Sequence, residues 1–136
     1  ITFGMHAVGA AVVAAKATRE QTERFLRPIA AGEHLTTLAL SEPGTGSQFW
    51  IPQTALRRAG EEYVVDGEKS FVTNGSRADS YVVSTVAADA GAPVGQFSCV
   101  LVPDDAPGLS WMGQWQGLGM RGNSSRGVSL SGVRIP

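Results

Sequence analysis

The sequence predicts a mainly β body, a barrel or sandwich, preceded by helices. Three observations carry this. The hydrophobic period switches from helical to alternating near Gly32. Beyond it come about eight short apolar runs at close spacing. The chain also holds 17 glycines, most of them between those runs, as a turn-rich β body requires.

Residues 1–31 read as helix. Residues 9–16 are Ala- and Val-rich and apolar on most sides, so this helix is expected to be buried. Thr18-Arg19-Glu20-Gln21 has the form of a capping box, with Thr18 as N-cap and Gln21 reaching back. Phe25, Leu26 and Ile29 make one apolar face, and Arg19, Glu20, Glu23 and Arg24 the wet side. Pro28 is expected to kink or end the helix, and Gly32 to close the segment.

The first strand is expected over residues 36–40. Residues 53–59 and 62–66 flank a turn at Gly60, and Asp66-Gly67 reads as a hairpin turn before 69–73. Strands over 81–87, 97–103, 109–111 and 128–135 follow, and residues 88–95 read as a loop of small residues without chemistry.

With 136 residues, 43% apolar and 17% charged, the chain is globular and long enough for one core. A net charge of −1 without a basic stripe excludes nucleic-acid binding. Cys99 is expected to be a buried strand thiol. A single cysteine forms no intrachain disulfide, and with His6 and His34 it makes no metal motif, which favours a reducing compartment. The apolar stretch 7–15 is about half of the ~20 residues a membrane span needs. It lacks a basic flank, so it reads as a helix and not as a span or signal peptide. A start at Ile1 and an abrupt end at Pro136 suggest a piece of a longer protein.

Three stretches carry chemistry. Residues 38–47 read Leu-Ala-Leu-Ser-Glu-Pro-Gly-Thr-Gly-Ser. Gly44 and Gly46 would let the backbone approach a ligand and turn N–H groups towards an anion, with Ser41 and Ser47 adding hydroxyls. A plain Pro-Gly turn is the other reading. No Lys follows the glycines and no helix opens after them, so neither a P-loop nor a dinucleotide fingerprint is present. Residues 67–75 read Gly-Glu-Lys-Ser-Phe-Val-Thr-Asn-Gly. Strand alternation would put Phe71 and Thr73 on one face, a packing surface beside a donor, as a flat electron-accepting ring would want. The other reading is a strand end closed by an Asn74-Gly75 turn. In the Gly-rich loop 117–126, Arg121 and Arg126 either meet phosphates or stay solvated or paired.

In order and spacing these stretches resemble the acyl-CoA dehydrogenase family. The resemblance rests on Leu26-Arg27-Pro28 with Gly32-Glu33, the Ser-Glu-Pro-Gly-x-Gly-Ser loop at 41–47, and the strand at 67–75. Ala78-Asp79-Ser80-Tyr81, Pro107-Gly108, the loop 119–125 and the strand end 133–136 complete it, so that it covers essentially the whole chain. It implies that residues 1–35 end an N-terminal helical domain and that 36–136 form the middle β-domain, which binds flavin and acyl-CoA. A C-terminal helical domain would be absent.

The resemblance further implies FAD as cofactor. Leu38, Leu40, Ser41, Gly46 and Ser47 would line it, and Phe71, Val72 and Thr73 would pack on its ring, with Thr73 donating near N5. Ser47 would also lie near the pyrophosphate and the thioester substrate. The implied reaction is α,β-dehydrogenation of an acyl-CoA, with a carboxylate base from the absent domain, so no catalytic residue is expected here. Glu42 is expected to be structural, and Glu61, Glu62 and Glu68 solvated. Electron-transfer flavoprotein as acceptor, a homodimer or homotetramer, and a cytoplasmic or mitochondrial-matrix setting are implied likewise. An acyl-CoA oxidase, a flavin-dependent monooxygenase or a non-catalytic subunit of the same fold are the alternatives. The chain departs from the family pattern at Gln48, where Asp is usual, at Phe71-Val72, and at Asn123-Ser124-Ser125, where an acid is lost.

Overall fold

The computed structural model describes residues 1–46, 48–88 and 95–136. Helix α1 (Thr2–Lys16) is followed by α2 (Arg19–Gln21), a π-helical segment (Thr22–Leu26) and α3 (Arg27–Ala31). The capping box forms as expected. Thr18 Oγ1 accepts from the Gln21 N–H at 3.2 Å, and Gln21 Oε1 accepts from the Thr18 N–H at 2.9 Å.

Pro28 does not end the helix, which runs on to Ala31. The turn before it widens instead, with the Arg27 N–H reaching Thr22 O. A local π turn is a common way for a helix to absorb a residue that cannot donate. Gly32 closes the segment with φ +76°, its N–H bonded to Ile29 O and that of Glu33 to Pro28 O. That left-handed cap satisfies two carbonyls at the helix end.

Within this chain α1 is not buried, contrary to expectation. Only Gly9 is inside, while Phe3 is 80% and Val8 49% exposed. A single strand edge cannot cover a helix that is apolar nearly all round. What it covers is the face at Gly9, whose missing Cβ would lie 3.3 Å from Thr37 Cα. His6 Nδ1 fixes that approach by accepting from the Thr36 N–H at 3.1 Å.

The strands are β1 (Thr36–Ala39), β2 (Ala55–Ala59), β3 (Glu62–Val72), β4 (Ser80–Ala87), β5 (Ser98–Pro103), β6 (Leu109–Met112) and β7 (Arg126–Ile135). There are seven among the described residues, because Asp66-Gly67 is not a hairpin turn. β3 runs straight through it. The pairing of β3 with β7 slips between Val65 and Gly67, and Asp66 Oδ1 accepts from the Gly132 N–H at 2.7 Å. The dipeptide thus stays within the strand, with Asp66 facing a bulge of β7 at Ser131-Gly132, where Gly132 takes φ +63°. The turn at Gly60, with φ +71°, does join β2 to β3.

The sheet order is β1-β4-β2-β3-β7-β6, with β5 also on β4. β1 runs parallel to the first half of β4, and β2 parallel to its end, Ala55 facing Val86 and Leu56 facing Ala87. The antiparallel β5 pairs with β4 from Ser80 to Thr85. Sharing β4 in this way curls the sheet into a half-barrel around Val65, Val83, Val102, Val128, Leu130 and Val133. Tyr81 is 1% exposed and packs its ring on Trp111 at 4.8 Å. Its hydroxyl sits between Ala78 O and Asp104 Oδ1, and burial, with Asp104 beside it, pushes the phenol far above its ordinary pKa. Cys99 is exposed, not buried, because among the described residues β5 pairs with β4 alone and forms a sheet edge.

Gly67 has φ +155°, and a Cβ there would lie 2.7 Å from Thr54 Oγ1 and 2.8 Å from Thr54 Cα. Thr54 is buried and cannot retreat. Gly67→Ala in the intact protein is therefore expected to lower stability by about 1–3 kcal/mol, read from the urea unfolding midpoint. A midpoint equal to wild type would mean that the approach of Thr54 does not need glycine at 67.

Candidate functional site

The segment after β1 turns inside out residue by residue. Leu38 is buried, Leu40 and Ser41 are partly exposed, and Glu42 is again buried at 3% exposure. Pro43 to Gly46 then fold back over Glu42, whose carbonyl accepts from the N–H groups of Thr45 and Gly46, each at 3.3 Å. The Gly46 N–H therefore closes the turn on itself, leaving the Gly46 carbonyl as its backbone group for a ligand. Gly44 lies so close to the Gln53 side chain that a Cβ would overlap its amide. Its glycine character serves packing.

The Glu42 carboxylate is fully engaged. Oε1 accepts from Lys69 Nζ at 2.6 Å, from the Thr54 hydroxyl at 2.7 Å and from the Thr54 N–H at 3.0 Å, while Oε2 accepts from the Gln53 N–H at 2.6 Å. Lys69 Nζ also donates to Ser84 O at 2.6 Å and to Ser84 Oγ at 2.9 Å. Both charges are out of water, at side-chain exposures of 0% for Lys69 and 2% for Glu42. Burial pushes the Glu42 carboxyl up, but the bonds from Lys69, Thr54 and Gln53 outweigh it and leave it below its ordinary value. Burial pushes the Lys69 ammonium down, against the pull of Glu42. Glu42 is structural, as the sequence reading had it. Lys69 was missed, since no spacing rule pairs a loop acid with a strand lysine 27 residues on.

This pair brings the first two motifs together. The Ser70 N–H donates to Ser41 O at 2.7 Å, so the Leu40–Ser41 stretch lies beside the end of β3. There the expected alternation fails. Phe71 takes φ +56°, and the register against β7 slips between Lys69 and Val72. Phe71 is consequently 70% exposed, while Val72 is 1% and Thr73 5% exposed. Phe71 and Thr73 do not share a face by period 2, and the Val72 side chain belongs to the core.

The third motif docks on the second. Gly75 and Ser124 exchange bonds, the Gly75 N–H to Ser124 O at 2.9 Å and Ser124 Oγ to Gly75 O at 2.8 Å. This places Ser125 Oγ 3.4 Å from Thr73 Oγ1. Arg126 is paired, its guanidinium donating to Gly113 O and Ser76 Oγ at 2.8 Å each, whereas Arg121 is exposed. Glu61, Glu62 and Glu68 are exposed as expected, Glu62 with Arg134 at 2.8 Å. Ser47, expected near the pyrophosphate and the substrate, lies outside the described residues, as does most of the 88–95 loop. Among the described residues no His/Cys/Asp/Glu cluster suits a metal ion, and no helix is long and apolar enough to cross a membrane.

The curled β body thus gathers the three motif loops at one place. The family model described as acyl-CoA dehydrogenase, middle domain, matches residues 37–133. The chain belongs to the acyl-CoA dehydrogenase family. It is 36% identical over 132 residues to cyclohexane-1-carbonyl-CoA dehydrogenase of Geobacter metallireducens, covering 97% of this chain and 34% of that one. Among solved structures, butyryl-CoA dehydrogenase from Megasphaera elsdenii superposes with a TM-score of 0.91 at 25% identity, over 99% of this chain and 36% of its own. A glutaryl-CoA dehydrogenase from Mycobacterium smegmatis, solved in complex with FADH2, gives 0.82 at 28% identity over 93% and 31%. The chain spans between 23% and 34% of the length of the curated relatives it is compared with.

Removing one partner of a buried ion pair strands the other charge. Lys69→Met in the intact protein is expected to cost about 3–5 kcal/mol, and Lys69→Met with Glu42→Gln less than Lys69→Met alone, both read by chemical denaturation. The pH dependence has a definite sign. A carboxyl whose pKa is lowered on folding stabilises the fold above its unfolded value, and that contribution is lost as pH falls through the folded value. Stability should therefore decline as pH drops below the ordinary 4.5, and less steeply in Glu42→Gln. Equal slopes would remove Glu42 as the source.

Proposed function

We propose that this chain supplies one wall of an FAD and acyl-CoA site in a protein that dehydrogenates acyl-CoA thioesters between the α and β carbons. The observation that carries the reading is the placement of Leu40–Ser41 beside Phe71–Thr73, joined through the Ser41–Ser70 hydrogen bond. The residues fit the group. The exposed Phe71 ring and the partly exposed Leu40 offer apolar surface to a flat ring. Thr73 Oγ1 has Ser125 Oγ, at 3.4 Å, as its hydrogen-bond partner among the described residues, and with Ser125 as the donor of that bond the Thr73 proton is left for a ligand. In this reading Leu38, Ser41 and Gly46 contribute mainly through the backbone and the Ser41 hydroxyl, Ser47 lies by the pyrophosphate and thioester, and the Thr73 hydroxyl is directed to flavin N5.

Bound FAD would accept the substrate's β-hydrogen as hydride. The chain's own residues hold the ring, shield one side of it from water and present a donor. The α-proton needs a carboxylate within hydrogen-bond reach. Glu42 is consumed by Lys69, and Glu61, Glu62 and Glu68 are on the solvent side of a hairpin and strand; on the analogy of the family the base is assigned outside these 136 residues. Residues 1–35 are read as the end of a helical domain and 36–136 as the middle β-domain. Electron-transfer flavoprotein as acceptor, a homo-oligomer, and a cytoplasmic or matrix setting complete the proposal, on the analogy of the family.

The test is Thr73→Val in the intact flavoprotein. Loss of one neutral hydrogen bond should weaken FAD binding by about 0.5–1.5 kcal/mol and slow flavin reduction by butyryl-CoA. If FAD affinity, visible spectrum and reduction rate all match wild type, the hydroxyl does not face the flavin.

A further inference from the structure

We infer that Asn123 sets the direction in which the Thr73 hydroxyl donates, and so acts as a positioning residue for the flavin. The inference rests on the reading that Thr73 faces the ring. Ser125 Oγ stands between the two, 2.6 Å from Asn123 Nδ2 and 3.4 Å from Thr73 Oγ1. Ser125 and Thr73 are 8% and 5% exposed, so bulk water has little access to reorient them.

A hydroxyl has one proton to give and accepts through its lone pairs, while an amide nitrogen only donates. Asn123 Nδ2 donates to Ser125 Oγ, which leaves the Ser125 proton to be placed elsewhere, and Thr73 Oγ1 is the neighbouring acceptor. Thr73, receiving from Ser125, must turn its own proton away from it. Among the described residues Thr73 Oγ1 has no further partner. A buried donor is rarely left unmet, so the free direction of this proton calls for an acceptor beyond the described residues, which the proposed function supplies as the flavin ring. The Asn123 Oδ1 atom is buried and without a partner, so the amide's one side-chain bond is the one to Ser125. The order of donation is thus Asn123 to Ser125 to Thr73 to the ligand, with the last step offered to a ring nitrogen that accepts.

A carboxylate at 123 reverses the order, since it only accepts. It takes the Ser125 proton, Ser125 takes that of Thr73, and the Thr73 hydroxyl points inward. Oxidised FAD, whose N5 accepts, then loses a donor. Reduced FAD keeps a partner, because the Thr73 oxygen still accepts from N5–H.

The experiment titrates the intact apoprotein with FAD and measures the midpoint potential of the bound flavin. Asn123→Asp should weaken oxidised FAD by about two- to tenfold with little change for reduced FAD, raising the potential. Thr73→Val should abolish any further effect of Asn123→Asp, and adding Ser125→Ala to Asn123→Asp should recover most of the lost affinity. A merely structural role predicts neither the redox selectivity nor the recovery. The inference is overturned if Asn123→Asp leaves the potential unchanged, or lowers affinity equally in the Thr73→Val background. Should the Asp variant not fold by circular dichroism, Asn123→Ala in the same double-mutant cycle with Thr73→Val reads the coupling, and additivity sinks it. Wild-type apoprotein that takes up no FAD, or Thr73→Val that binds it normally, overturns the flavin reading itself and the relay with it.

Discussion

Glu42 and Lys69 meet out of water, and the placement of the first two motifs against each other depends on that meeting. Neither charge is tolerable alone in a β core. Together, with Thr54, Gln53 and Ser84 filling the remaining donor and acceptor positions, they tie the turn after β1 to β3, β4 and the segment before β2. Each of those segments is fixed relative to the others by short, charge-assisted bonds, which are stronger and more directional than apolar contact. The Ser41–Ser70 bond, which sets the two expected flavin-lining stretches side by side, involves the residues next to this pair, one in the turn after β1 and one in β3.

The second constraint is the irregularity of β3. A regular eleven-residue strand would alternate in and out along its length, and Phe71 and Thr73 would share an exposure. Two slips against β7 prevent this. The first is allowed by Gly67 and answered by the Asp66–Gly132 bond. At the second, Phe71 takes a left-handed conformation, and Asn74 and Ser76 do so just beyond, at φ +61° and +59°. For an aromatic residue such a conformation is strained, and strain of this kind gathers at sites where the surroundings over-determine it. Here the result is a ring held out on the surface and a hydroxyl held just beneath it, against the loop that carries Ser125.

Helices and sheet meet at few points. Gly9 lets α1 lie against β1, and His6 bonds the first strand residue. The rest of the α1 surface remains open, which is why its strong apolar character did not translate into burial.

The sequence by itself determined the class of the fold and the identity of the motifs. The period switch at Gly32, the capping box at Thr18, the Gly60 turn and the β7 run are local patterns, set by residues within a few positions of one another, and these appear as read. The family was legible because three short motifs keep their order and spacing along the chain. What only the tertiary structure decided were the non-local matters. Asp66-Gly67 stayed inside β3 because a bulge of β7 at Gly132 stood opposite, Cys99 was exposed because β5 lies at an edge among the described residues, and Lys69 found a partner that no sequence spacing announces. The direction of the Thr73 side chain depended on a slip between strands and on a loop fifty residues further on. Such features follow from which strand lies beside which, and local sequence carries no record of that choice.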